Sequence, residues 1–185
     1  MSLEKPKKWE TVKEIDSQSL LIFNYRKLVR RHPEWNIEGH FTVLESNDWV
    51  NIIPITKEGN IVLIEQYRHG TDSIVLEIPG GLIEIGEIPV NAAKRECIEE
   101  TGYSSKEELE FLGEVQPNPA FQTNKCYTYL WKDCELLHDQ NLDRHEDIVV
   151  KEFPENEINN MILSGRIKHG VVLNALMFYL MRKKV

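Results

Sequence analysis

The sequence predicts an α+β fold, and two observations lead to that prediction. The first is the order of elements: a run of strands, one helix, more strands and then two helices. A doubly wound sheet would instead alternate strands and helices regularly. The second is composition, because a chain of 185 residues with 41% apolar and 28% charged residues is typical of a globular domain that buries a core. Neither a disordered chain nor a fibrous repeat fits these values.

Five strands are predicted before the first helix, each from an apolar or alternating run that ends at a turn signal. They span residues 20–29, 37–44, 49–56, 60–67 and 74–78. The tripeptide Lys57-Glu58-Gly59 joins the third and fourth strands as a hairpin turn. Because residues 61–64 are continuously apolar, we expect the fourth strand to be buried on both faces.

The first helix is predicted to begin at Pro89 and to end at Gly102, since proline favours the first turn and glycine the C-cap. Strands at 109–115 and 126–131 follow, separated by a loop at 116–125, and a last strand covers 148–153. The segments 154–163 and 171–181 are predicted to be helical. Residues 1–45 are predicted to form an N-terminal β extension, and residues 46–185 the main domain.

Charge and cysteine content limit the partners and the compartment. Acidic residues outnumber basic ones by 30 to 22, which gives a net charge of −8. A protein that binds the phosphate backbone of nucleic acid needs a basic surface, so nucleic acid is not an expected partner. The apolar stretch 171–181 is interrupted by Asn174 and is too short for a membrane span, and the N-terminus lacks a signal-peptide pattern. Three cysteines without C-x-x-C spacing favour a reducing cytoplasm.

Carboxylates concentrate on one face of the first predicted helix. On a helical wheel, four charged residues share an arc of about 140°: Arg95, Glu96, Glu99 and Glu100. Like charges three or four residues apart cost about 0.2–0.5 kcal/mol per pair. A hard divalent cation such as Mg²⁺ would turn this repulsion into a binding site, with a backbone carbonyl of Gly80-Gly81 as a further ligand. The alternative is a solvated acidic helix face, and the helix alone does not decide between them.

The spacing around this helix supplies a more specific pattern. It contains Gly81, Glu87, Arg95-Glu96-Cys97, Glu99-Glu100 and Gly102-Tyr103 at fixed offsets. This pattern resembles the Nudix box, G-x5-E-x7-R-E-U-x-E-E-x-G-U, with Cys97 where a bulkier aliphatic residue is usual. The resemblance implies an α/β/α sandwich with a mixed β-sheet, in which the box forms a loop–helix–loop. It also implies hydrolysis of a nucleoside diphosphate linked to another moiety.

The resemblance assigns roles to the residues of the box. The implied ligands of Mg²⁺, or of Mn²⁺ in its place, are Glu96, Glu99, Glu100 and the carbonyl of Gly80. Arg95 is implied to orient these carboxylates for catalysis, and Glu87 to brace the loop. Gly81 and Gly102 complete the structural part of the box.

Residues outside the box resemble the branch that hydrolyses ADP-ribose and nucleotide sugars. The segments Gln66-Tyr67-Arg68-His69-Gly70 and Leu76-Glu77-Ile78-Pro79-Gly80-Gly81 carry this resemblance. Pro119 also carries it, since it lies 16 residues beyond Tyr103, and the resemblance implies that it takes part in substrate binding. Arg68 is expected to bind the diphosphate, with a surface arginine as the alternative. Glu77 is expected to contact a ribose or nucleobase. The alternative, which the sequence favours equally, is a strand-end carboxylate without a binding role. Asn124 replaces an acidic residue, which favours a broader nucleoside-diphosphate-sugar specificity.

Glu146 is the predicted general base. It lies in Asp143-Arg144-His145-Glu146-Asp147, before the last strand, where this branch commonly has a glutamate near the metals. An acidic loop without a catalytic role is the alternative, and Glu99 is a second catalytic candidate. A non-catalytic nucleotide-binding module on the same fold is the other function considered. The apolar N-terminal strands and C-terminal helix favour a homodimer.

Overall fold

The computed structural model describes residues 5–183, which divide into two compact units. One unit comprises the described residues up to Ser46 together with Asn118–Asn124. The other comprises Asn47–Pro117 and the described residues from Lys125 onward. The loop segment that contains Pro119 therefore groups with the N-terminal strands, which the predicted division at residues 45 and 46 did not anticipate.

The first unit contains a three-stranded antiparallel sheet in the order β1-β2-β3. Its strands are β1 (Glu10–Ser19), β2 (Asn24–Arg31) and β3 (Glu38–Glu45). No strand was predicted at β1, because its residues are exposed on both faces and show no apolar alternation. Strand β2 begins later than predicted, since the Leu20 N–H donates to the Phe23 carbonyl and closes a turn there.

The second unit contains eight strands, three α-helices and one short 3₁₀ turn. The strands are β4 (Trp49–Thr56), β5 (Asn60–Arg68), β6 (Ser73–Glu77), β7 (Gly80–Leu82), β8 (Tyr103–Ser104), β9 (Glu110–Val115), β10 (Cys126–Leu136) and β11 (Ile148–Pro154). The helices are α1 (Pro89–Thr101), α2 (Ile158–Leu163) and α3 (Gly170–Arg182), with the 3₁₀ turn at Glu155–Glu157.

The sheet of the second unit is mixed. Its strand order is β11-β5-β4-β10-β8, and β6, β7 and β9 pair with β5, β4 and β10. Strands β4 and β10 run parallel, whereas the other pairs are antiparallel. The predicted mixed sheet is therefore confirmed.

Helices cover both faces of this sheet. The four residues 61–64 of β5 are fully buried, as predicted. Ile61 and Leu63 join a core that includes α2 and α3, whereas Val62 joins a second core with Ala93 and Cys97 of α1. This arrangement confirms the α+β class and the α/β/α sandwich.

Helix α1 begins and ends as predicted. Pro89 occupies its first turn, and Gly102 caps it with a left-handed φ of 74°. The Gly102 N–H donates to the Ile98 carbonyl at 2.8 Å, and a side chain at this position would collide with the carbonyl of His138. Cys97 is fully buried, so a smaller residue fills the position where the box usually has a bulkier aliphatic one.

Several element boundaries differ from the predictions. Strands β7 and β8 were not predicted because they contain only three and two residues. Strand β10 continues past residue 131 to Leu136, beyond an irregularity where Asp133 has a φ of 54°. The helix predicted at 154–163 begins only at Ile158, because Pro154 still belongs to β11 and a 3₁₀ turn follows it. No helix in residues 5–183 has both the length and the apolar character needed to cross a membrane.

Candidate active site

The residues of the predicted box meet where β7 passes α1. The Gly80 N–H donates to Glu100 Oε2 at 2.8 Å, which joins the short strand to the end of the helix. A Cβ atom at Gly81 would collide with the carboxylate of Glu96. Glycine at this position therefore allows the Glu96 carboxylate to lie directly against the backbone of β7.

Arg95 holds the loop and the helix together. Its Nε and Nη2 donate to the two carboxylate oxygens of Glu87 at 3.0 and 2.9 Å, and Nη2 also donates to the Leu82 carbonyl. Its Nη1 donates to Glu96 at 2.9 Å and to Glu99 at 3.1 Å. Glu87 is the main cause of the raised pKa of Arg95, and Arg95 in turn lowers the pKa of Glu87. Arg95 thus orients carboxylates and is a positioning residue.

Burial disfavours the ionised form of two carboxylates of α1. Burial raises the pKa of Glu96 to about 7, with the charges of Glu99 and Glu146 adding to the effect and Arg95 opposing it. Burial also raises the pKa of Glu100 well above its usual range, and the charges of Glu96 and Glu146 contribute. These carboxylates lack a nearby positive charge sufficient to keep them ionised.

The donor set fits a hard divalent cation. Glu96 and Glu100 present oxygen ligands of the kind that Mg²⁺ prefers, and a cation between them would relieve the electrostatic cost that raises their pKa values. Glu99 is turned towards Arg95, and no three acidic, histidine or cysteine side chains among residues 5–183 form a ready metal site. Glu96, Glu99 and Glu100 are therefore suitable metal ligands by chemistry, and Arg95 holds two of them, Glu96 and Glu99, in ion pairs.

The stability of the metal-free protein should fall as pH rises. The pKa of Glu96 is about 7 in the folded state, against an ordinary value of 4.5, so the folded state binds more protons between these two values. The stabilisation that protonated Glu96 gives to the folded state is complete below pH 4.5 and is lost as pH rises towards 7.

We expect the Tm in EDTA to decrease from pH 5 to pH 7.5. We expect Mg²⁺ to raise the Tm more at pH 7.5 than at pH 5, because protons compete with the metal for the carboxylates. Thermal denaturation with and without Mg²⁺ measures this. A larger effect of Mg²⁺ at pH 5 would contradict the assignment of Glu96.

Arg68 and Glu77 form a second cluster at the ends of β5 and β6. Arg68 donates from Nε and Nη2 to the two oxygens of Glu77, at 3.0 and 2.6 Å. Burial alone would raise the pKa of Glu77, but its contacts with His169 and Arg68 outweigh burial and lower it. The carboxylate therefore stays ionised although it is only 2% exposed. In the structure the Glu77 carboxylate is occupied by Arg68. The expected contact between Glu77 and a ribose or nucleobase stays a prediction.

Glu146 lies on an exposed turn whose flank is attached to α1. The Asn141 N–H donates to the Glu99 carbonyl at 2.9 Å, and Gln140 Nε2 donates to the Glu100 carbonyl at 2.6 Å. The Glu146 carboxylate accepts the Asp143 N–H at 3.0 Å, and its charge affects the pKa values of Glu96, Glu100 and Arg68.

The structure brings most of the predicted site residues into one unit. Those in the second unit are Arg68, Glu77, Gly80, Gly81, Glu87, Arg95, Glu96, Glu99, Glu100, Gly102 and Glu146. Pro119 lies exposed in the other unit, so its role in substrate binding stays a prediction.

Sequence reasoning missed Gln140 and Asn141, whose contacts run to backbone carbonyls of α1 and leave no spacing signal. His145 and His169 were weighed beside Glu146 and set aside, because a lone histidine has no pattern that separates a functional residue from a structural one.

A cavity of about 330 Å³ lies beside the loop that precedes α1. Its walls include Asp48, Ile83, Glu84, Glu87 and Tyr127, whereas Glu96 and Glu100 do not line it. It therefore adjoins the box through Glu87 but does not include the carboxylates of α1.

One family profile matches most of the chain. The profile of the NUDIX domain matches residues 47–176, more than half of the chain. The ADP-ribose pyrophosphatase of Bacillus subtilis is 29% identical over 119 residues, and the methanol dehydrogenase activator of Bacillus methanolicus is 35% identical over 119 residues. Each match covers 64% of this chain and spans 64% of the relative's length.

A solved structure gives the same result for the fold. The crystal structure of an ADP compounds hydrolase superimposes with a TM-score of 0.87, covering 98% of this chain and 97% of that one. The sequence identity is 21%, so this likeness concerns the fold.

Proposed function

Because the chain belongs to the Nudix family, we propose that it hydrolyses the pyrophosphate bond of nucleoside-diphosphate sugars, including ADP-ribose, to a nucleoside monophosphate and a sugar phosphate. The observation that supports this most is the assembled box, in which Arg95 ties together Glu87, Glu96 and Glu99 while Glu100 contacts Gly80. The named activity of the Bacillus subtilis relative also supports the substrate class.

The proposed cofactor is Mg²⁺, with Mn²⁺ as an alternative. The chain would hold it through Glu96, Glu99, Glu100 and the carbonyl of Gly80. When bound, the cation neutralises phosphate charge and makes water a better nucleophile. Arg95 keeps the carboxylates in place, and its release of Glu99 would complete the ligand set.

In this proposal, Arg68 binds the phosphate groups and Glu146 acts as the general base. Arg68 keeps Nη1 for phosphate oxygens, because its Nε and Nη2 are engaged by Glu77. Glu146 turns from the Asp143 N–H and accepts a proton from the attacking water. The water adds to one phosphorus, the bridging P–O bond breaks, and each product leaves as a phosphate monoester.

A substrate panel tests this proposal. ADP-ribose or another nucleoside-diphosphate sugar should exceed dNTPs, dinucleoside polyphosphates and NADH in kcat/KM with Mg²⁺, because the Bacillus subtilis relative is named for hydrolysis of ADP-ribose. Inorganic phosphate should appear only after a phosphatase is added, since the products are monoesters. A tenfold preference for a triphosphate would overturn the substrate class. Binding of these ligands without any turnover would favour the non-catalytic module.

A homodimer is the proposed assembly, with residues 1–45 as the dimerisation element. Support comes from the large apolar side chains that the first unit exposes: Val12, Ile15, Leu20, Leu21, Ile22, Trp35 and Ile37. Isolated exposed apolar residues are ordinary, but so many within one small sheet and its connections favour burial against a second copy.

The proposed location is the cytoplasm. Cys97, Cys126 and Cys134 are free thiols and all three are buried. Unpaired buried cysteines fit a reducing compartment, in which thiols are not oxidised to disulfides.

A further inference from the structure

Glu77 is a buried carboxylate shared by two basic side chains from different parts of the fold. Arg68 comes from the end of β5, and His169 immediately precedes α3. Arg68 donates two hydrogen bonds to Glu77, and His169 Nδ1 lies 3.2 Å from Glu77 Oε1. The His169 ring is not aligned for a hydrogen bond, so Nδ1 and the Glu77 carboxylate are in close contact without one.

Both basic side chains extend from this buried carboxylate towards solvent. The side chain of Arg68 is 42% exposed and that of His169 is 38% exposed. His169 Nδ1 itself is buried, so Nε2 is the ring nitrogen that remains for a ligand. Nη1 of Arg68 and Nε2 of His169 are thus the two nitrogen atoms that this cluster offers to a ligand.

The other basic group of the site cannot take this role. Every guanidinium nitrogen of Arg95 already donates to Glu87, Glu96, Glu99 or the Leu82 carbonyl. Arg68 also lies close enough to Glu100 and Glu146 for their charges to act on it. Arg68 therefore brings its Nη1 near the carboxylate cluster, and Glu77 links Arg68 to His169.

We propose that His169 is a substrate-binding residue whose Nε2 contacts the diphosphate together with Arg68. This inference rests on the proposed function, because it places the second phosphate contact of the same substrate. Glu77 keeps both side chains in position: it fixes the Arg68 fork and attracts the His169 ring. One buried carboxylate thereby aligns two contacts that come from β5 and from the start of α3.

Binding of a substrate analogue tests the role of His169 apart from turnover. The probe is ADP-ribose with its bridging oxygen replaced by a methylene group, titrated calorimetrically with Mg²⁺ present. His169→Ala should weaken binding about 10- to 100-fold, the usual range for a hydrogen bond to a charged group. With ADP-ribose as substrate, KM should rise by a similar factor while kcat changes little.

Two amide variants separate direct contact from an effect through Glu77. The glutamine amide in His169→Gln can reach the position of Nε2, whereas the asparagine amide in His169→Asn reaches only that of Nδ1. Direct contact predicts partial recovery of binding in His169→Gln and none in His169→Asn. Recovery in His169→Asn alone would overturn the proposal, since it would show that His169 acts only by positioning Glu77.

Lys168→Gln is the matched control, because it removes a positive charge from the adjacent exposed residue. We expect its affinity for the analogue to stay within about twofold of wild type. An equal loss of affinity in Lys168→Gln and His169→Ala would overturn the proposal in favour of general electrostatic attraction.

If the wild type binds the analogue through His169 but hydrolyses no nucleoside-diphosphate sugar, the proposed activity fails and the binding role stands. If the wild type hydrolyses ADP-ribose and His169→Ala keeps its KM, the binding role fails alone.

Discussion

Replacing Glu100 with glutamine should lower kcat by about a thousandfold or more and leave the fold intact. Glu100 is only 4% exposed, and one of its oxygens accepts the Gly80 N–H. A glutamine oxygen can keep that hydrogen bond, so the backbone of β7 stays in place. The variant loses the charge that a divalent cation requires, and each 1.4 kcal/mol of lost transition-state stabilisation costs a factor of ten in rate. Steady-state kinetics with ADP-ribose and Mg²⁺ measures the effect.

Thermal denaturation supplies a second reading on the same variant. Burial disfavours the ionised form of Glu100, so removing its charge should preserve or raise the Tm in EDTA. The increase in Tm that Mg²⁺ produces should shrink, because one ligand is lost. Glu84→Gln is the matched control, since Glu84 is an exposed carboxylate in the same loop–helix segment and lies outside the box pattern. A wild-type rate for Glu100→Gln would remove Glu100 from the site.

Replacing Glu146 with glutamine should lower kcat by about 10²–10⁴, the usual contribution of a positioned general base. Glutamine keeps the size and hydrogen-bonding capacity of the side chain but cannot accept the proton. KM and Tm should change little, because Glu146 is exposed and its only side-chain hydrogen bond described in residues 5–183 is with the Asp143 N–H. Rapid-mixing or steady-state kinetics at saturating ADP-ribose measures kcat.

The neighbours of Glu146 are suitable controls. Asp147→Asn removes an equal charge from an adjacent exposed residue, and His145→Ala removes a titratable ring. Both should cost far less than Glu146→Gln. If Glu146→Gln retains more than about a tenth of the wild-type kcat, the base lies elsewhere, and Glu99 is the next candidate.

The central part of the fold could be predicted because its sequence signals are local. The apolar run at residues 61–64 indicated a strand buried on both faces, and both cores use it. Pro89 and Gly102 marked the ends of α1 through well-defined backbone preferences. Strand β1 could not be predicted this way, because its pairing with β2 comes from backbone hydrogen bonds while its side chains stay in solvent.

The candidate site was predictable where spacing along one helix carries the information. Arg95, Glu96, Glu99 and Glu100 share one face of α1 through helical periodicity, so their proximity follows from the sequence. His169 lies 92 residues beyond Glu77, and only the packing of α3 against the sheet brings them together. The dual engagement of Arg95 with Glu96 and Glu99 also needed the structure, since the wheel showed only that the three are neighbours.

Phosphorus NMR of one reaction tests the central claim that the α1 carboxylates support metal-dependent pyrophosphate hydrolysis. The wild-type protein is mixed with ADP-ribose and Mg²⁺, the spectrum is followed with time, and EDTA is added halfway. The account predicts that the diphosphate signals give way to two monoester signals of equal intensity, AMP and ribose 5-phosphate, and that conversion stops when EDTA is added. Persistence of the diphosphate with Mg²⁺ present, or conversion that continues unchanged in EDTA, would contradict it.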